Sequence, residues 1–296
     1  MNRVLTAPTN IRELAVFLEK MNNQKEFHIG FCGEDREEIF DTLMNDFSDL
    51  TVEESFIVAY HDSVIMGAIG FDVDIEGQYA EVWGPFVVNH DHSLAQELWN
   101  QLTERMPNEI SCFSFFINQE NQFVQDFVRE NGGVDEGSHM VLDLNRDTYK
   151  NDKNSDYEVY AEDYQNSFSQ LHNEAFPKTY YDAKTILSRL HENHHLYVVK
   201  ENEKEIKGYV YIEANPKHQE ANIEYVAVNS KYRRQGVGRI LIAAALKQIF
   251  SYASIEEITI CVSSDNTAAI NLYRSLGFRV KYELVSYESR IKSPSS

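Results

Sequence analysis

Asn229-Ser-Lys-Tyr-Arg-Arg-Gln-Gly-Val-Gly-Arg-Ile-Leu241 is the stretch that decides the fold. It follows the apolar run Ile223-Glu-Tyr-Val-Ala-Val228 and leads into Val237–Phe250, which is rich in Ile, Leu and Ala. The first run reads as a strand with one out-of-place carboxylate, Glu224, and the second as a helix. Gly236 and Gly238 lie where the backbone must turn tightly and let a ligand come close. The first N–H groups of a helix lack intrahelical partners and point outward. With the helix dipole and Arg233, Arg234 and Arg239 nearby, they form an anion site suited to a pyrophosphate. A glycine pair taken alone also fits a surface turn with scattered arginines.

The neighbouring segments alternate between strand and helix patterns. Upstream, Tyr157–Ala161 is a strand candidate. Glu162–Ala175 carries Tyr164, Phe168, Leu171 and Ala175 at helical spacing, and Ala183–His191 is a second helix. Leu196–Val199 and Lys207–Ala214 are strands on either side of the charged turn Glu201–Glu205. Downstream, Glu257–Val262 is a strand. Asp265 or Asn266 caps a helix that runs to Leu276 and ends at Gly277. Phe278–Lys281 and Glu283–Ser289 close the half as strands. The result is a mixed α/β domain.

Arg233, Gly236 and Gly238 spell R-x-x-G-x-G, and Asn266, which lies 28 residues beyond Gly238, opens Asn266-Thr-Ala-Ala-Ile-Asn-Leu-Tyr-Arg-Ser-Leu-Gly-Phe278. This pairing resembles the GNAT superfamily of acetyl-CoA-dependent N-acetyltransferases over roughly residues 157–290. The resemblance implies that Val226, Ala227 and Val228 present backbone groups to the pantetheine arm of acetyl-CoA. It implies that Arg233, Arg234, Gln235, Gly236, Val237, Gly238 and Arg239 wrap the pyrophosphate. Asn266 would bond the cofactor near the pantetheine, and Tyr273 would stand close to the thioester sulfur. The reaction so implied moves an acetyl group to a primary amine. Such an amine must first lose a proton, because ammonium has no lone pair, and a carboxylate or a water held by one serves as base. Glu224, two residues before Val226, is the candidate, since the strand period of two puts the two side chains on one face. A backbone N–H near Val226 is placed to meet charge on the carbonyl oxygen. Tyr273 is the candidate acid for the departing thiolate. Each residue also has a plainer role open to it: an exposed carboxylate for Glu224, a core side chain for Tyr273, a helix cap for Asn266.

The first half reads as a worn copy of the second. Asn121, Arg129 and Gly132 fall on Asn266, Arg274 and Gly277 at one offset of 145, and Val88-Asn89 falls on Val228-Asn229 at an offset of 140. Phe56–Tyr60 and Val64–Asp72 match the strand pair Leu196–Val199 and Lys207–Ala214. A repeat of this length marks tandem domains, here cut at 1–150 and 151–296, with the polar stretch 145–156 as linker. After Asn89 there is no R-x-x-G-x-G; Asp91 and Glu97 would repel a pyrophosphate, Val128 stands for Tyr273 and Gly84 for Glu224. The expectation is two tandem GNAT-like domains, the first degenerate and non-catalytic, the second binding acetyl-CoA.

Composition bounds the rest. With 27 Lys+Arg against 47 Asp+Glu, the 296 residues carry a net charge of −20, which argues against nucleic-acid and anionic-membrane partners. Residues 1–150 hold 9 basic and 28 acidic side chains, a net of −19, so the excess lies almost wholly in the first half. Such a half attracts a cationic acceptor, whether a small molecule or a lysine-bearing peptide, though acidity also serves solubility alone. No apolar run approaches the ~20 residues of a membrane span. The first residues lack a secretion-signal layout, and three cysteines (Cys32, Cys112, Cys261) give no disulfide framework. A cytoplasmic protein is expected. His90-Asp-His92 and His191-Glu-Asn-His194-His195 lack standard zinc spacing, and His194 and His195 point to opposite strand faces, so no metal is expected. Cys261 reads as a small buried hydrophobe. The reading from another class is a non-catalytic acetyl-CoA sensor or protein-interaction module; intact Glu224 and Tyr273 favour the enzyme.

Overall fold

The computed structural model describes residues 3–150, 156–177, 179, 181–217 and 219–290. Contacts divide the chain into two units: residues 1–139 with 282–296, and residues 140–281.

The first unit opens with β1 (Arg3–Thr6), α1 (Ile11–Asn22), α2 (Arg36–Asn45) and the single turn α3 (Val52–Ser55). It continues with β2 (Phe56–His61), β3 (Val64–Asp74), β4 (Tyr79–Val87), α4 (His92–Thr103), β5 (Cys112–Asn118) and α5 (Gln122–Glu130). Short polar side chains set the helix starts: Asn10, Asp35, Asp91 and Asn121 each accept bonds from first-turn N–H groups. β1 to β4 form an antiparallel meander, and β4 pairs with β5 in parallel at Tyr79 to Glu81 only. Phe56, Phe71, Phe86, Trp99, Phe113, Phe115 and Phe127 fill its core.

β6 (Val134–Asn145) carries the chain into the second unit. There follow β7 (Glu158–Val159), α6 (Gln165–Ala175), α7 (Ala183–Ser188), β8 (His194–Lys200), β9 (Ile206–Asn215) and β10 (Glu220–Val228). Then come α8 (Val237–Ile249), β11 (Glu257–Ser263), α9 (Thr267–Ser275) and β12 (Arg279–Arg290). A four-stranded sheet runs β10-β9-β8-β7, and β11 lies beside β6. One core packs α8, with Leu241, Ile242 and Leu246, against Val210, Ile212 and Tyr273. A second packs α6 and α7 against Tyr209, Tyr211 and Tyr225.

β12 departs most from the sequence reading. It is one strand, and from Tyr282 onward it belongs to the first unit. There it pairs antiparallel with β5, Val285 opposite Ile117 and Tyr287 opposite Phe115, and buries Val285 and Tyr287 in that core. In return, Leu142 and Leu144 from the second half of β6 are buried in the second unit's core. A single cut at residue 150 therefore does not describe the contacts. The first unit gives one strand end and takes another, coded more than a hundred residues away.

The stretch expected as a linker is anchored at its start. Arg146 donates to the carbonyls of Phe250 (2.7 Å), Tyr252 and Ile255, and residues 151–155 lie outside the described residues. The remaining element bounds shift by a few residues; Glu162–Tyr164 is a 3-10 turn ahead of α6. Cys261 is exposed, not buried, because the alternation of β11 turns Thr259, Cys261 and Ser263 to its open face. His195 bonds Tyr252 Oη through Nε2 at 2.9 Å while His194 faces Glu213, so the two rings do diverge. Among the described residues no group of three or more His, Cys, Asp or Glu is placed to hold a metal ion, and no helix is long and apolar enough to cross a membrane.

Candidate active site

The quoted stretch folds as strand, turn and helix. β10 ends at Val228, Asn229 caps a 3-10 turn at Ser230–Tyr232, and α8 begins at Val237. Gly236 precedes the helix at φ +82°, the left-handed region that glycine enters without a Cβ penalty. Nothing lies within 4 Å of where a Cβ would stand, so the backbone over the turn is open. Gly238 answers a different need: a Cβ there would come 3.2 Å from Leu272 Cδ2, so its absence lets α8 and α9 approach closely.

The arginines divide their work. Arg233 Nε donates to the Val228 carbonyl at 3.2 Å and pins the turn to the strand end. Arg239 donates to Ser275 O (2.8 Å) and Oγ (2.9 Å), tying α8 to the last turn of α9, whose carbonyls favour a cation. Gln235 Nε2 closes back on the Lys231 carbonyl at 2.9 Å. Arg234, at φ +62°, is exposed. The turn is thus built by Arg233, Gln235 and Arg239 and opened by Gly236. The first-turn N–H groups, from Val237 to Arg239, form the anion-facing end.

Beside the turn, Val226, Ala227 and Val228 pair with Val210, Tyr209 and Gly208 of β9. Among the described residues β10 is the edge strand of its four-stranded sheet, paired on one side with β9. Glu224 sits in a bulge: Ile223 pairs with Ile212 and Tyr225 with the adjacent Tyr211, so Glu224 is the extra residue. The bulge resets the alternation. Ile223 and Val226, three apart, pack on the α8 side, whereas Tyr225 and Ala227 pack on the α6 side. The break in alternation falls between Ile223 and Tyr225, at Glu224 itself.

Asn266 caps α9, its Oδ1 accepting from Ala269 N at 3.1 Å. Tyr273 lies on the buried face of α9, its ring 5.5 Å from that of Phe278. Its hydroxyl makes no hydrogen bond among the described residues, and burial pushes its pKa up.

Sequence reasoning missed a cluster under α6. Buried His172 meets the Tyr181 carbonyl through Nε2 (2.9 Å) and Tyr209 Oη through Nδ1 (2.5 Å). A carbonyl only accepts, so Nε2 carries the hydrogen and, in the neutral ring, Nδ1 accepts from Tyr209. Tyr225 Oη bonds Thr179 Oγ1 (2.5 Å) and accepts from Tyr181 N (3.4 Å). Both polar groups of the Tyr181 backbone are thus held, next in line to the Glu224 bulge. A lone histidine at helical spacing gives no sign of this in sequence.

The site thus joins the edge of β10 to a helix start that Gly236 leaves open, an arrangement suited to an anion. Residues 157–278 match the family model described as Acetyltransferase (GNAT) family. The chain is 36% identical over 89 residues, 29% of its length and 56% of the relative, to an uncharacterized N-acetyltransferase, YycN, of Bacillus subtilis. It is 41% identical over 54 residues, 18% of this chain and 32% of the relative, to an N-alpha-acetyltransferase of Sulfurisphaera tokodaii. The chain thus spans about half the first relative and a third of the second. Among solved structures, it superposes on a GCN5-related N-acetyltransferase of Sphaerobacter thermophilus with TM-score 0.70, 15% identity and coverage of 99% and 97%. A tandem GNAT protein from the clavulanic acid biosynthesis pathway follows, with TM-score 0.63, 13% identity and full coverage of both chains. At these identities the solved structures speak for the fold, which is that of tandem GNAT domains.

Proposed function

We propose that the chain is an acetyl-CoA-dependent N-acetyltransferase acting on a primary amine, with its chemistry in the second unit. The observation that carries this is the turn at Arg233–Arg239, where Gly236 at φ +82° opens the start of α8 next to the edge of β10. The open space over Gly236 fits a phosphate group, and that edge fits an extended amide-bearing arm. Val226, Ala227 and Val228 would hold the arm, residues 233–239 the pyrophosphate, and Asn266 the neighbouring part. Acetyl-CoA supplies a thioester carbonyl as the electrophile. Glu224 takes the proton from the acceptor ammonium, directly or through a water. The N–H near Val226 faces the charge that grows on oxygen. Tyr273, kept protonated by its burial, provides a proton for the departing sulfur.

The acidic first half favours a cationic acceptor. Rising salt then raises the KM of the true amine, because screening shortens the reach of the field; a flat salt profile overturns that part. The first unit, with Gly84 and Val128 where the second has Glu224 and Tyr273, supports no such chemistry. The test of the whole reading is thiol release from acetyl-CoA across an amine panel. Gly236→Asp should abolish acetyl-CoA binding, since it strains a left-handed residue and puts a negative charge at the helix start. Wild-type affinity by calorimetry refutes the assignment.

A further inference from the structure

In the first unit, β4 and β5 pair at Tyr79–Cys112, Ala80–Phe113 and Glu81–Ser114 and then part. β4 runs on to Val87 and β5 to Asn118 without further register. This is the first unit's counterpart of the gap beside β10. Here the gap is filled by the unit's own chain. Ile29, between α1 and α2, forms an antiparallel bridge with Ile117. Gly30 N donates to the Phe116 carbonyl at 2.6 Å, and Asn118 N donates to the His28 carbonyl at 3.2 Å. The other edge of β5 is taken by β12 as far as Asn118, so this segment lies on the β4 side, inside the gap.

The segment is built in. Buried Asn22 accepts from Ile29 N (2.7 Å) and donates to the carbonyls of Cys32 (2.7 Å) and Gly33 (3.0 Å), clasping both ends. Asn121 Nδ2 reaches the His28 carbonyl at 3.4 Å. Phe27 stacks on His90 at 4.6 Å, and His90 lies 5.1 Å from Phe123, so aromatic rings close the mouth where α4 and α5 begin. Gly30 is required for the approach: a Cβ would stand 2.5 Å from Phe116 Cδ1 and 2.7 Å from Leu284 Cδ1.

We propose that residues 27–30 permanently occupy the first unit's cofactor slot, pairing with β5 on the side that faces β4, the counterpart of β10, so that each chain takes up one acyl-CoA. An extended peptide and an amide-bearing arm offer a strand edge the same alternating N–H and C=O groups. The proposal rests on the acetyl-CoA reading of the second unit only for the stoichiometry.

The test is hydrogen exchange by mass spectrometry on the full chain, with and without acetyl-CoA, beside a calorimetric titration. The amides of Ile29, Gly30 and Asn118 should be protected at least about 100-fold, equally in both states, as closed native hydrogen bonds are. Asn22→Ala should speed their exchange about tenfold or more while acetyl-CoA stoichiometry stays at one. Gly30→Ala, which wedges the segment without removing its clasp, serves if Asn22→Ala does not fold. Two acetyl-CoA per chain, or protection at 116–118 that appears only with acetyl-CoA, overturns the proposal. Should no acetyl-CoA bind at all, the reading of the second unit fails; protected Ile29 and Gly30 in the free protein then still uphold the filled slot, and rapid exchange there overturns it.

Discussion

Glu224 owes its chemical interest to being one residue too many. A bulge locally increases strand twist and often re-aims a side chain beside an active site. General-base assistance contributes typically 10²–10⁴-fold. Glu224→Gln is therefore expected to lower turnover at pH 7 by about 100-fold while acetyl-CoA affinity holds, checked by steady-state rates and calorimetry. Tyr273 stands differently. Burial raises its pKa, which keeps the proton on the hydroxyl through neutral pH but makes it a weaker acid. Tyr273→Phe should cut turnover at least about tenfold with little change in acetyl-CoA affinity; an unchanged turnover number removes it from the chemistry.

At the scale of elements, the two units repeat each other's irregularities. β4 bulges at Gly84–Pro85, where Ala68 and Gly70 face Phe86 and Trp83, just where the repeat places the Glu224 bulge of β10. Asn121 and Asn266 cap α5 and α9 with the same 3.1 Å bond, and Gly132 and Gly277 follow them at φ +78° and +104°. The caps, the glycine stops and the turn at Arg233–Arg239 were legible because local chemistry writes them. The bulge was not, since it depends on what the partner strand does. The His172 clasp was equally hidden, as its partners lie 9 and 37 residues away. Replacing His172 with Phe removes its bonds to the Tyr181 carbonyl and the Tyr209 hydroxyl and should cost about 1–3 kcal/mol, read as a lower urea midpoint.

The β3–β4 hairpin adds a pH signature. Asp72 and Glu81 face each other across it. Burial first, with Asp49 and Asp74 adding, pushes Asp72 to about 6, and burial with Asp72 pushes Glu81 to about 7. Both folded values exceed the unfolded ones, so the folded chain binds more protons between about pH 4 and 7. Stability from this pair is present at low pH and lost as pH rises through 6 to 7. Glu81→Gln should flatten that fall and raise Tm at pH 8 relative to wild type, measured by calorimetry at pH 5 and pH 8.

For the whole molecule, the repeat was readable and the exchange of strand ends was not. Matching residues at constant offsets announces two copies. Nothing local announces that Val285 answers Ile117, because both copies offer equally apolar final strands. The energetics make the exchange consequential. Leu284, Val285 and Tyr287 are buried, and burying side chains of this size is worth about 1.5–3 kcal/mol each. Their sum rivals the roughly 5–15 kcal/mol that holds a domain folded. Ending the chain at residue 278 should therefore unfold the first unit, seen as fast exchange across β2 to β5, although every residue of those strands remains.

The same strand sets a clock for the growing chain. β5 is complete at Asn118, yet the strand that covers its far edge emerges only with residues 282–290, about 170 residues later. At roughly 5–20 residues per second, that edge waits on the order of ten to thirty seconds during synthesis. The early-made half is thus finished last, and for that interval its bare strand is open to pairing with a neighbouring nascent copy.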